Sequence, residues 1–190
     1  IVREFGWGCD CLTEDMEFSM KCLSHGIRTC WVHDAIIYDE KPLTFMASWR
    51  QRKRWAQGQF DCSERYIPIL MKEGFKRHSI VVLDGIMQLL QNYFLLISAF
   101  YLVMTYINMF YPCFTVVLYN DALVPRQFWS VLGTIQYVLP LIVLLQIEVP
   151  AKIYLYWLIY PVFMYSWVPV TFLGWIHRHE KQWVHTIHTR

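Results

Sequence analysis

The chain has 190 residues, 17 Lys and Arg against 15 Asp and Glu, and a formal charge of +2. That balance is too small to imply a nucleic-acid partner. Its composition is 56% hydrophobic and only 17% charged, against roughly a quarter charged for a soluble domain, so a membrane protein is expected.

The polar half comes first. Phe5-Gly6-Trp7-Gly8-Cys9-Asp10 reads as a loop, after which Thr13 is placed to cap a helix running from about Glu14 to His25. Met16, Met20 and Leu23 fall on its buried side, and Gly26 stops it. Thr29 to Val32 and Ala35 to Tyr38 read as short strands, divided by His33-Asp34. Pro42 ends the extended part, and Thr44 caps the next helix, which carries Gln51-Arg52-Lys53-Arg54-Trp55. Tyr66-Ile67-Pro68 is expected to interrupt that helix before a short amphipathic piece, Ile69 to Phe75, closed by Lys76-Arg77-His78. The six cysteines, at 9, 11, 22, 30, 62 and 113, contain no CxxC pair, and five lie in this half. They read as reduced thiols rather than a metal site or a disulfide framework.

Beyond His78 the charges almost disappear. Spans fit 92–111, 129–147 and 153–176, each near the roughly 20 residues a bilayer requires. Residues 79–91 hold Asp84, Gln88 and Gln91 and serve either as an amphipathic lead-in or as the polar start of a long tilted helix. Pro140, Pro161 and Pro169 are expected to kink the spans that hold them. Orientation conflicts with that count. Arg and Lys between 50 and 77 put the side before the first span in the cytoplasm, yet three crossings would export a tail containing Arg178, Lys181 and Arg190.

Two stretches carry chemistry. On a helix, Gln51, Arg54 and Trp55 share one face, and Gly58 lies one turn further along it, where another chain or a ligand can come close. Arg52 and Lys53 point elsewhere, toward water or lipid headgroups. A guanidinium grips phosphate oxygens bidentately, and an indole offers a flat platform to a sugar, so this face suits an anionic, sugar-bearing substrate. The same residues, with Phe45, Met46, Trp49, Phe60, Arg50, Arg52 and Lys53, also describe a basic amphipathic helix on a membrane surface. Upstream, Thr13-Glu14-Asp15 places two carboxylates in a first helical turn, which by itself only complements the helix dipole.

In combination they are more specific. Thr13-Glu14-Asp15, then Gln51-x-x-Arg54-Trp55 with Gly58, then apolar spans, resembles the C-terminal part of processive family 2 glycosyltransferases, the synthases of cellulose, hyaluronan, chitin and poly-N-acetylglucosamine. Trp7, Asp10 and Asp39-Glu40-x-Pro42 agree with that pattern, as does the ending from Trp183 to Arg190. The resemblance implies the α/β end of a GT-A-type glycosyltransferase domain over 1–43 and interfacial amphipathic helices over 44–78. A helical transmembrane domain over 79–176 and a basic tail over 177–190 would follow. It implies inverting transfer from a nucleotide sugar, first of all a UDP-sugar, to a growing glycan or a lipid acceptor. Asp15 would be the general base, Gln51 and Arg54 would hold the diphosphate, and Trp55 would lie under the acceptor. Thr13 and Glu14 would position the substrate loop, with Glu40 in support. Magnesium or manganese is implied, with its ligands upstream of Ile1 in a longer protein, so this chain alone is expected to be inactive. The implied location is the cell membrane, multi-pass, with the catalytic side cytoplasmic and lipids as partners. Two alternatives remain open: a non-processive glycolipid-forming glycosyltransferase, and a transporter subunit using Asp84, Gln136 and Gln146. Nothing in these residues selects the donor sugar or the polymer.

Overall fold

A 33-residue helix, Phe45–Arg77, is the element against which the polar half packs. The computed structural model describes residues 2–77, 79–111 and 126–180. Among these the helices are α1 (Val2–Phe5), α2 (Glu14–Ser24), α3 (Phe45–Arg77), α4 (Ile80–Phe110), α5 (Arg126–Leu144), α6 (Lys152–Tyr165) and α7 (Trp167–Ile176). The chain divides into one unit of Ile1–Leu96 with Pro169–Arg190 and a second of Ile97–Val168.

In the first unit, α2 lies along α3 and runs in the same direction. Thr13, just before α2, touches Gly58, and at the far end Arg77 Nη2 donates to the Ser24 carbonyl at 3.3 Å. Gly26 follows α2 at φ 79°, and the Ile27 and Gly26 N–H groups return to the Cys22 and Leu23 carbonyls, both at 2.9 Å. This is a left-handed glycine stop that satisfies otherwise orphaned carbonyls. The first half of α4 runs back antiparallel to α3. Val82 packs at Gly74, Ser63 Oγ donates to the Leu89 carbonyl at 2.9 Å, and the Phe60 and Tyr93 rings meet edge to face at 4.9 Å. Met20 of α2, Cys62 and Leu70 of α3, and Val82 and Leu89 of α4 form the core with Cys11, and Met16, Leu23, Ile67 and Ile86 pack against it. Leu89, Leu70 and Phe60 are fully buried.

Thr44 caps α3 as its position predicts, its Oγ1 accepting from the Ala47 N–H at 3.2 Å. The interruption expected at Pro68 does not occur: α3 continues through it to Arg77. Proline removes one i→i−4 bond and strains the turn, but Ile67 and Leu70 on either side are held in the core, and that packing carries the helix across. Thr13 likewise precedes α2 without a side-chain cap bond.

The expected α/β end of a GT-A-type domain is not what this chain forms. Among the described residues the secondary structure is helical, with no strand. Thr29 to Tyr38 is irregular, with a turn in which the Ala35 N–H meets the Val32 carbonyl at 3.2 Å. Trp31, Ile37 and Tyr38 are 83%, 88% and 94% exposed. Strand propensity describes how a side chain fits a pleated, half-covered surface, and no neighbouring strand among the described residues supplies one.

In the second unit, α5 and α6 pack through stacked Tyr137 and Trp157 rings 4.3 Å apart, and the Trp157 Nε1–H donates to the Tyr137 carbonyl at 3.1 Å. Two stretches, Ile80–Asn108 and Lys152–Ile176, are long and apolar enough to cross a bilayer by length and composition, while Ser130–Leu144 is shorter. The stretch read as one span over 153–176 is divided at Ser166 into α6 and α7. The ending from Trp183 to Arg190 lies outside the described residues.

Candidate active site

The face of α3 that bears Gln51, Arg54 and Trp55 leads directly to the acidic triplet. Gln51 and Arg54 are half-buried and Trp55 is 37% exposed. One turn on, Gly58 is buried, and a Cβ there would lie 2.7 Å from the Cγ2, backbone N and Oγ1 of Thr13. The close approach that Gly58 permits is therefore made by Thr13 of the same chain. Two segments more than 30 residues apart in sequence are thus joined, and the first turn of α2, with Glu14 and Asp15 exposed, starts at that joint.

Asp15 faces solvent, with Oδ1 accepting from the Met16 N–H at 2.7 Å. The Thr13 hydroxyl is buried and has no hydrogen-bond partner among the described residues. Glu40 is half-buried in the irregular segment, where its neighbour Asp39 pairs with Lys41 at 2.7 Å.

Arg52 departs from expectation. Instead of pointing to water or headgroups it is 2% exposed, with Nε donating to the Ser48 carbonyl at 3.3 Å and its guanidinium 5.7 Å from the centre of the Phe45 ring. Burial pushes its pKa below the usual arginine value.

Several residues that hold the site were not singled out from sequence. Glu17 is 3% exposed, and its Oε2 accepts from the backbone N–H groups of Asp10 and Cys11, both at 2.7 Å. Its Oε1 lies 3.6 Å from Arg65 Nη1, and Arg65 in turn grips Asp61 through two bonds of 3.0 and 2.9 Å. The signal was present: Glu17 falls at i+4 from Thr13 and i−3 from Met20, so an acid occupies the apolar stripe. On the other side of α3, Gly174 of α7 packs so closely on Ala56 that an added Cβ would lie 2.5 Å from the Ala56 Cβ. Gln57 Nε2 donates to the His177 carbonyl at 2.9 Å, and Arg178 Nε meets Glu64 Oε1 at 2.6 Å.

Cys9, Cys11, Cys22, Cys30 and Cys62 are free thiols, and Cys113 lies outside the described residues. The Cys11 thiol is pushed up by its hydrogen bond with Cys62 and by burial. Burial, with the charge of Glu17 behind it, pushes the Tyr66 hydroxyl up to about 12. The described residues bring together no group of three or more His, Cys, Asp and Glu able to hold a metal ion. They do not by themselves form a site for the divalent cation the resemblance implies.

What the arrangement offers is an exposed carboxylate at the start of one helix, joined through a glycine contact to a helix face bearing an amide, a guanidinium and an indole. No curated protein and no solved structure matches the chain. A family model described as glycosyl transferase family group 2 matches residues 1–175. With that match covering most of its length, the chain belongs to glycosyl transferase family group 2 and is a glycosyltransferase.

Proposed function

We propose that the protein is a membrane-bound, inverting glycosyltransferase that moves a sugar from a nucleotide-sugar donor, a UDP-sugar, onto a growing polysaccharide. The observation that carries this reading is the contact between Thr13 and Gly58, which seats the acidic triplet beside the Gln51, Arg54 and Trp55 face. The two apolar stretches, Ile80–Asn108 and Lys152–Ile176, support the membrane setting.

Transfer needs three things that these residues supply by chemistry. The acceptor hydroxyl oxygen attacks the anomeric carbon from the side opposite the leaving group, and its proton passes to the Asp15 carboxylate. A positioned carboxylate accelerates such a step by about a hundredfold or more. The bond between the anomeric carbon and the donor phosphate oxygen breaks, and the negative charge that develops on the nucleoside diphosphate is taken up by Arg54, with Gln51 donating beside it. Trp55, partly exposed, gives the acceptor sugar an apolar surface that fixes its approach. Thr13 and Glu14 set the loop that presents Asp15. A divalent cation held elsewhere in the active enzyme would neutralise the diphosphate.

The test is incorporation of radiolabelled UDP-sugars by membranes carrying the full-length protein, with UDP-N-acetylglucosamine, UDP-glucose and UDP-glucuronate as donors. Asp15→Asn is expected to lower turnover at least about a hundredfold, and Trp55→Ala to shorten or abolish the product. A long product distinguishes polysaccharide synthesis from single transfer to a lipid. Full activity of the Asp15→Asn protein would refute the base assignment.

A further inference from the structure

We infer that Glu17 is a positioning residue for sugar transfer, binding the acid-bearing helix, the loop before it and the Arg54-Trp55 helix into one unit; this rests on the function proposed above. Glu17 is one of the few ionisable side chains buried in the first unit, at 3% exposure. A carboxylate taken out of water at such a position is strongly disfavoured unless its oxygens are satisfied. Here they are. Oε2 accepts two backbone N–H groups at 2.7 Å, from Asp10 and Cys11, and Oε1 faces Arg65 of α3 at 3.6 Å.

The direction of those bonds is informative. Glu17 lies two residues after Asp15 on α2, and the N–H groups it holds lie five and four residues before Asp15. The carboxylate therefore closes a ring of chain that contains the whole acidic triplet. Thr13, inside that ring, makes no side-chain cap bond to hold it. Arg65 then ties the ring to the helix of Arg54 and Trp55, two turns beyond Gly58, and is itself fixed by Asp61 through two bonds of 3.0 and 2.9 Å. The ring thus has two anchors on α3, the steric one at Gly58 and the ionic one at Arg65. Glu17 does not face the open side where Asp15 stands, so it acts through the chain and not on the substrate.

The test compares Glu17→Met, Glu17→Asp, Glu17→Gln and Asp15→Asn in full-length protein, with kcat and KM for the UDP-sugar measured per folded enzyme. Met keeps the volume but leaves the Asp10 and Cys11 N–H groups, the latter buried, without that acceptor. Asp keeps the charge but withdraws it by about 1.5 Å, one carbon–carbon bond. Gln keeps an acceptor oxygen for both N–H groups but loses the charge and turns its amide NH2 toward Arg65, so the ionic anchor alone is removed. Misplacement on the ångström scale costs up to about a hundredfold, so Glu17→Met and Glu17→Asp are expected to lower kcat by about tenfold or more. Donor KM should stay within about twofold, and Glu17→Gln, which keeps the two loop bonds but not the tie to Arg65, should fall between the wild type and Glu17→Met in turnover. A role in stability alone would lower the yield of folded protein and leave kcat per folded enzyme unchanged, and that result overturns the inference. If Glu17→Met does not reach the membrane, Glu17→Asp decides: wild-type kcat overturns the inference, and a fall at constant KM supports it. An inactive Asp15→Asn beside a fully active Glu17→Met refutes this inference alone, whereas an active Asp15→Asn overturns both it and the base assignment on which it rests.

Discussion

Replacing Gly58 by alanine tests the joint on which the site depends. The added Cβ would stand 2.7 Å from three atoms of Thr13, one of them backbone nitrogen, where ordinary contact begins at 3.4 Å. Relief therefore requires a shift of about 0.7 Å, and a backbone atom cannot move it away by a change of rotamer. Overpacking of this kind costs about 1–3 kcal/mol, while alanine in place of glycine inside a helix returns about 1 kcal/mol. The net loss of stability is about 0–2 kcal/mol, small enough for the protein to accumulate. Catalysis is more sensitive than folding to such a shift, since ångström-scale misplacement of a reacting group costs up to about a hundredfold. The expected outcome is therefore a folded protein whose sugar incorporation falls by about tenfold or more, with donor KM little changed. Gly133→Ala is the matched control, because a Cβ there meets nothing within 4 Å, and it should leave activity intact. Wild-type turnover in Gly58→Ala would show that the spacing of the acidic triplet from α3 does not matter to the reaction, and the site as described would be wrong.

Two further outcomes follow from the same packing. Tyr66 has its ionisation pushed up to about 12 by burial, above the ordinary value near 10. A raised acid favours the neutral form in the folded state, so this contribution is present below about pH 10 and is lost as pH rises toward 12. Tyr66→Phe should therefore lessen the fall in thermal stability between pH 10 and 12, and an unchanged fall would place its cause elsewhere. Gly174→Ala would bring a Cβ to 2.5 Å from the Ala56 Cβ and 3.2 Å from the Gln57 backbone nitrogen. The overpacking should cost about 1–3 kcal/mol, of which alanine in a helix returns about 1 kcal/mol, and a midpoint of thermal unfolding raised by that whole gain would refute the close seating of α7 on α3.

Local signals were legible where local chemistry decides. Thr44 and Ala47 form the cap that the residue type predicts, and Gly26 stops α2 because its φ of 79° suits glycine. Met20 lies in the core with Met16 and Leu23 packed against it, as their spacing requires. Where a neighbour decides, the reading failed. Thr29 to Tyr38 has strand residues but no strand partner among those described, so its side chains stand in the open. Pro68 is a helix breaker by itself, yet flanking residues anchored in the core carry α3 past it. Arg52 looked like a solvated charge until Phe45 and the Ser48 carbonyl enclosed it. For the site, helical periodicity put Gln51, Arg54, Trp55 and Gly58 on one face. No spacing rule could show that Thr13 touches Gly58, because the chain between them includes an irregular segment of arbitrary path. Glu17 was missed because its sequence signal, an acid on an apolar stripe, becomes meaningful only once its two N–H partners are known.

The middle of α3 explains why the site residues sit where they do. Over less than one turn, Ala56 and Gln57 receive Gly174 and the His177 carbonyl of the C-terminal segment, and Gly58 receives Thr13. Small side chains at 56 and 58 let two different segments approach the same stretch of backbone. Larger residues would hold either one away, as the Cβ contacts at Gly58 and Gly174 require. Arg54 and Trp55 immediately precede this crowded stretch, so the rotation of α3 about its own axis, and hence the direction in which they project, is fixed from two sides. The acidic segment and the C-terminal segment thus constrain the same turn, and a change in either one reaches the guanidinium and indole through backbone that has no room to absorb it.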